Sequence, residues 1–170
     1  MFEYSLGNVA EMLYQQPDIL RYWIRWLGVM NMVCILFVWK HTQARWAAVA
    51  MLFVVAANVP IAMALGLVKA LAIPHLFAWV PLVAYLAMQV REGKLQTKSI
   101  FGVWVLTLMV TNTVSIIFDI RDTVEYIAGD RGIVSVSSAN IPYAMFAVCL
   151  VSVAALAYYC KPNSFAQESS

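Results

Sequence analysis

Five runs of eighteen to twenty-one mostly apolar residues fill most of this chain: 19–39, 46–65, 73–90, 100–120 and 141–160. No other feature constrains the fold as strongly. A helix rises about 1.5 Å per residue, so roughly 20 residues cross a hydrocarbon core about 30 Å thick. A soluble domain of 170 residues could not bury that much apolar surface, because small domains leave a large share of their surface wet. The apolar share is 63% and the charged share 12%, against about 45–50% and about 25% in soluble domains. Strands of a membrane barrel would alternate polar and apolar residues, and these runs do not. The predicted fold is therefore an all-α membrane bundle of five transmembrane helices.

The flanking segments complete that layout. Segment 1–18 precedes the first run, with Leu6, Val9, Ala10 and Leu13 at helical spacing. It reads as a short interfacial helix ended by Pro17, with Asp18 capping the first span. Spans two and three are joined only by 66–72, with Lys69 at the turn, which predicts a tight helical hairpin. The third span is the shortest and contains Pro74 and Pro81, tolerable in a membrane helix when neighbours satisfy the freed carbonyls. Loop 121–140 begins as an extension of span four, stopped by Gly129 as a C-terminal cap, and a polar tail occupies 161–170.

Lys and Arg near the span ends set orientation. With the N-terminus outside, Lys40, Arg45, Arg91, Lys94, Lys98 and Lys161 face the cytoplasm, while Glu3, Glu11, Asp18, Asp119, Asp122, Glu125 and Asp130 all fall outside. Loop 91–98 decides, with three cations in eight residues. The expected setting is a bacterial inner membrane, N-terminus out and C-terminus in. A net charge of +2 without a basic cluster argues against nucleic acid as a partner. The partners expected are the lipid bilayer and another membrane protein or a second copy.

Polar side chains inside spans are costly and therefore informative. Asn112, Ser115, Asp119 and Asp122 fall at i, i+3, i+7 and i+10, one helical face. Asn58, Ala62 and Gly66 form a small-residue register where another helix can approach. Arg25, Asn58, His75, Asn112, Ser115, Asp119 and Asp122 belong to the outer half or rim, and are the candidates for an outward-facing polar cavity. The competing reading, and the simpler one, is that the same residues are structural glue between helices. The sharpest expectation is an ion pair between Arg25 and Asp119, which would make spans one and four neighbours.

Chemistry is otherwise sparse. His41 and His75 fall at opposite faces, which excludes a haem sandwiched by two histidines of this chain, and no CxxCH permits covalent haem. The cysteines Cys34, Cys149 and Cys160 share no close spacing, and no zinc set forms. His75 with Asp119 or Asp122 could supply two metal ligands, although an ordinary polar rim histidine is the simpler reading. No cofactor and no metal site is predicted. GxSxG, HExxH, P-loop and GxGxxG patterns are absent. Three functional classes follow. An accessory or assembly subunit of a membrane complex fits the short chain without a catalytic signature. Binding or transport of a small molecule or ion would use the polar cavity. An intramembrane enzyme would have only Asp119, Asp122 and His75 for acid–base work.

Overall fold

The computed structural model describes residues 3–132. The expected fifth span, the end of loop 121–140 and the polar tail lie outside the described residues. The architecture is all-helical, with no strand among them. A short helix α1 (Leu6–Tyr14) is followed by α2 (Asp18–Met32), α3 (Thr42–Leu65), α4 (Ala72–Arg91) and α5 (Ile100–Ile127). Short 3-10 turns extend α2 over Val33–Leu36 and precede α4 at Lys69–Leu71. With those turns included, four helices are long and apolar enough to cross a membrane.

Local chemistry explains most boundaries. Ser5 starts α1 through a capping box: its hydroxyl accepts from Asn8 N at 3.1 Å, and Asn8 Oδ1 accepts from Ser5 N at 3.0 Å. The expected Asp18 cap is not made. Pro17 is the N-cap of α2, and Asp18, its first helical residue, pairs with Arg21 one turn on. A carboxylate there suits the positive end of the helix dipole. Pro74 sits in the first turn of α4, where backbone N–H groups have no intrahelical partner anyway. Pro60 and Pro81 lie inside α3 and α4 and remove one helical hydrogen bond each. The extension of the fourth span is real: α5 runs to Ile127, and Gly129 follows with φ +100°, a conformation that favours glycine.

The four long helices form a ring in which α2 touches α5 and α3, while α4 touches α5 and α3. α5 is the best covered, burying thirteen residues, among them Val105, Leu106 and Leu108. Gly102 marks a close approach: a Cβ there would collide with the Gln96 carbonyl and stand 2.7 Å from Thr97 Cα. The 92–99 loop thus folds back onto the start of α5, where Ser99 Oγ accepts from Gly102 N at 3.0 Å. Indole N–H groups add ties between α2 and α5. Trp26 donates to Thr111 Oγ1 at 3.2 Å, and Trp104 donates to the Met30 carbonyl at 3.0 Å.

The register Asn58, Ala62, Gly66 has a different neighbour from the one the spacing suggests. At Gly66 (φ +76°) the approaching group is the N-terminal segment rather than a long helix. A Cβ there would lie 3.1 Å from the Met12 methyl, and Tyr4 N donates to the Met63 carbonyl at 2.9 Å. The segment before α2 is thereby pinned over one end of the ring. That end carries Lys69 and is called the Lys69 end below; the other carries Lys94.

Candidate functional site

Between α2, α3, α4 and α5 lies a cavity of about 520 Å³, and α1 contributes Leu6, Val9 and Leu13 to its wall at the Lys69 end. The helix expected to be interfacial therefore turns leucines toward the bundle. Most of the lining is aliphatic. Six of its polar residues are Asn31, Asn58, His75, Ser115, Asp119 and Asp122, and no Lys or Arg among the described residues lines it.

These groups are ordered by depth because α4 and α5 run antiparallel. Asp122 lies nearest the Lys69 end of α5 and Asn112 lies ten residues, about 15 Å, further in. Around the middle, Asn58 Nδ2 donates to His75 Nε2 at 3.1 Å. The remaining ring proton then belongs on Nδ1, which donates to Asp119 Oδ1 at 3.3 Å. Ser115 Oγ donates to the other carboxylate oxygen of Asp119 at 3.0 Å. Side chains from α3, α4 and α5 are joined in one chain of hydrogen bonds. The Trp79 ring lies nearly parallel to His75, 5.9 Å away at 13°.

Deeper still, Asn31 and Asn112 exchange amide hydrogen bonds at 3.2 and 3.4 Å, and Asn31 also donates to the Leu27 carbonyl at 2.9 Å. Both are buried, and amide pairs between membrane helices are worth about 0.6–2 kcal/mol. Asn31 shares the inward face of α2 with Leu20 and Trp23.

Of the seven candidate residues, the structure places Asn58, His75, Ser115, Asp119 and Asp122 on the cavity, with Asn112 just beneath it holding Asn31. Arg25 does not join them. It is exposed, while the partners of Asp119 are His75 and Ser115, so the Arg25–Asp119 ion pair is not formed. The reason is rotational: with Leu20, Trp23 and Asn31 turned inward, residue 25 is carried onto the opposite side of α2. Spans one and four are neighbours nevertheless, through the asparagine pair and the two indoles.

Three polar groups on the cavity wall have no partner among the described residues. Asp122, only 7% exposed, has no hydrogen bond or ion pair; Asn58 Oδ1 and Trp79 Nε1 are buried without a partner. On sequence alone Trp79 reads as a packing residue, and nothing in its context signals that its N–H is left without an acceptor. No group of three or more potential metal-ligating side chains forms among the described residues.

At the Lys69 end a second cluster satisfies itself. Lys69 is 3% exposed and forms ion pairs with Glu125, at 2.6 Å, and with Asp130. Arg121 Nε also donates to Glu125, at 2.8 Å. The Lys69 ammonium, assisted by the Gly132 N–H, holds the Asp130 carboxyl below its ordinary value. The lysine at the turn of the expected hairpin is thus a buried tie between the α3–α4 connection and the end of α5.

No family model matches the chain, and neither a curated protein nor a solved structure matches it.

Proposed function

We propose that the chain is an integral membrane protein, oriented with its Lys69 end outside, that binds a small amphipathic molecule in the cavity between its helices. The carrying observation is the cavity itself, with apolar walls and one cluster of convergent polar groups, which is the usual character of a small-molecule site. Its volume lies within the roughly 300–1,000 Å³ range of such sites. Orientation is supported by the state of the cations. At the Lys69 end, Arg21, Lys69 and Arg121 are paired with carboxylates. Toward the Lys94 end, Lys94 is paired with Glu92, while Lys40, Arg45, Arg91 and Lys98 have no carboxylate partner among the described residues; at the Lys69 end Arg25 and Arg131 are likewise without one. A bacterial inner membrane suits this pattern of charge.

Acid–base chemistry would require a histidine in reach of a carboxylate beside a cavity, and His75 and Asp119 have that arrangement. The remaining contacts favour binding instead. The second ring nitrogen of His75 meets the Asn58 amide, and the Ser115 hydroxyl is held by Asp119, so no hydroxyl is aligned on the imidazole. A role as an accessory subunit draws support from α3, whose Val49, Leu52, Phe53 and Val55 are all at least half exposed. Acyl chains would cover that face equally well, so the cavity is the more specific feature.

Cysteine labelling tests the reading. In a background with Cys34, Cys149 and Cys160 replaced by alanine, Asn58→Cys should react with a small membrane-impermeant thiol reagent added from the outside. Val105→Cys, fully buried in α5, should not. An unreactive Asn58→Cys would remove the cavity as an accessible site.

A further inference from the structure

Resting on the binding reading above, we infer that the cavity takes an organic ammonium group carrying a short apolar chain. The ligand's charge is argued from what the cavity lacks. Two carboxylates, Asp119 and Asp122, stand one helical turn apart on its wall, and no lysine or arginine among the described residues lines it. Asp119 already accepts from the His75 ring and the Ser115 hydroxyl. Asp122 has no donor at all among the described residues, although its exposure is only 7%. A buried carboxylate normally has a partner, so this one marks a place for a cation.

An alkylammonium has three N–H donors and no acceptor, which suits the Asp122 carboxylate on the cavity wall. The aliphatic wall, including Leu6, Val9 and Leu13 of α1, matches an apolar chain, and the volume of about 520 Å³ suits a small free amine rather than a two-chain lipid. A metal cation is less well served, since the described residues assemble no set of three ligating side chains.

The test uses the full chain in phosphatidylcholine nanodiscs, with octylamine, octanol and octanoate compared by calorimetry after subtraction of binding to empty discs. Octylamine should bind at least about tenfold more tightly than octanol, with octanoate weakest, as expected for a charge-assisted contact. Asp122→Asn should lower octylamine to the level of octanol and leave octanol unchanged. Gly28→Leu should weaken both. Gly28 lines the cavity, a Cβ there meets nothing within 4 Å, and leucine favours the helix, so this variant keeps the fold while filling space. If octanol binds as tightly as octylamine in the unaltered protein, the cation is wrong and the cavity stands. The same holds if Asp122→Asn changes nothing. If none of the three binds and Asn58→Cys is unlabelled, the cavity reading falls with it. Competition by phosphatidylethanolamine added to the discs would replace the free amine with a lipid headgroup and overturn the proposal.

Discussion

At the Lys69 end one buried ammonium is shared by Glu125 and Asp130, whereas one turn further into the bundle two carboxylates, Asp119 and Asp122, form no ion pair with a lysine or arginine among the described residues. The two regions draw on the same residue types and on the same helix, α5. Their difference teaches what each is for. A buried cation that collects carboxylates from the end of α5 closes a structure, because its removal leaves like charges facing one another. Carboxylates without a lysine or arginine partner keep their capacity to accept, and that capacity is open to a guest.

The largest expected effect comes from dismantling the closed region. Lys69→Met removes the common counter-ion of Glu125 and Asp130. It should lower the melting temperature more than any change on the cavity wall, with a severalfold drop in stable yield. The measurement is thermal unfolding in mild detergent. If the variant melts with the parent, the ion pairs are screened by solvent and the contrast between the two regions loses its structural half.

Next comes the neutral pair below the cavity. Asn112→Ala leaves Asn31 with an unmet amide group in a buried position and should cost about 1–3 kcal/mol. Replacing both by leucine should recover much of that loss, since no polar group is then stranded. Equal damage from the single and the double variant in unfolding titrations would mean that the amides contribute shape rather than hydrogen bonds.

Acid provides a smaller and more selective probe. Asp130 has its folded-state pKa depressed, chiefly by Lys69. Its contribution to stability is therefore full above the unfolded value of about 3.9 and is lost as pH falls through the lower folded value. Melting temperature should decline below about pH 4, and part of that decline should vanish in Lys69→Met. An acid limb that is identical in the two proteins would show that Asp130 is not held by Lys69 in solution.

Much of this arrangement is legible in the sequence, and the departures have a common cause. Four of the apolar runs coincide with four long helices because length and apolar content decide whether a helix can span. The stripe Asn112, Ser115, Asp119, Asp122 is buried as its spacing predicts, since polar residues at helical period must share a face. Rotation is harder. α2 has a distinct polar side carrying Asp18, Arg21 and Arg25, but in a membrane helix that contrast does not say which side meets the bundle, and it is Leu20, Trp23 and Asn31 that point inward and Arg25 away. Charge alone matches Arg25 to Asp119, and charge carries no information about azimuth. Lys69 is hidden for a related reason: the sequence places it at the turn of a tight hairpin without saying where its side chain goes, and a 3-10 turn directs it onto the end of α5.

The smallest expected effect is the one that separates the two regions most clearly. Asp122→Asn removes a negative charge from a buried site while keeping the shape of the side chain. Were Asp122 part of a structural ion pair like that of Glu125, its loss would destabilise the bundle. It has no such partner among the described residues, and Asp119 is a like-charged neighbour one turn away. Neutralising it should leave the melting temperature unchanged or raise it slightly, within about 0.5 kcal/mol of the parent or on the stabilising side. Set beside Lys69→Met, it gives a single contrast between a buried charge that is paired and a buried charge that is not. A fall in stability for Asp122→Asn approaching that of Lys69→Met would mean that Asp122 is engaged by a group beyond residues 3–132. The free carboxylate on which the ammonium proposal depends would then already be occupied by the protein itself.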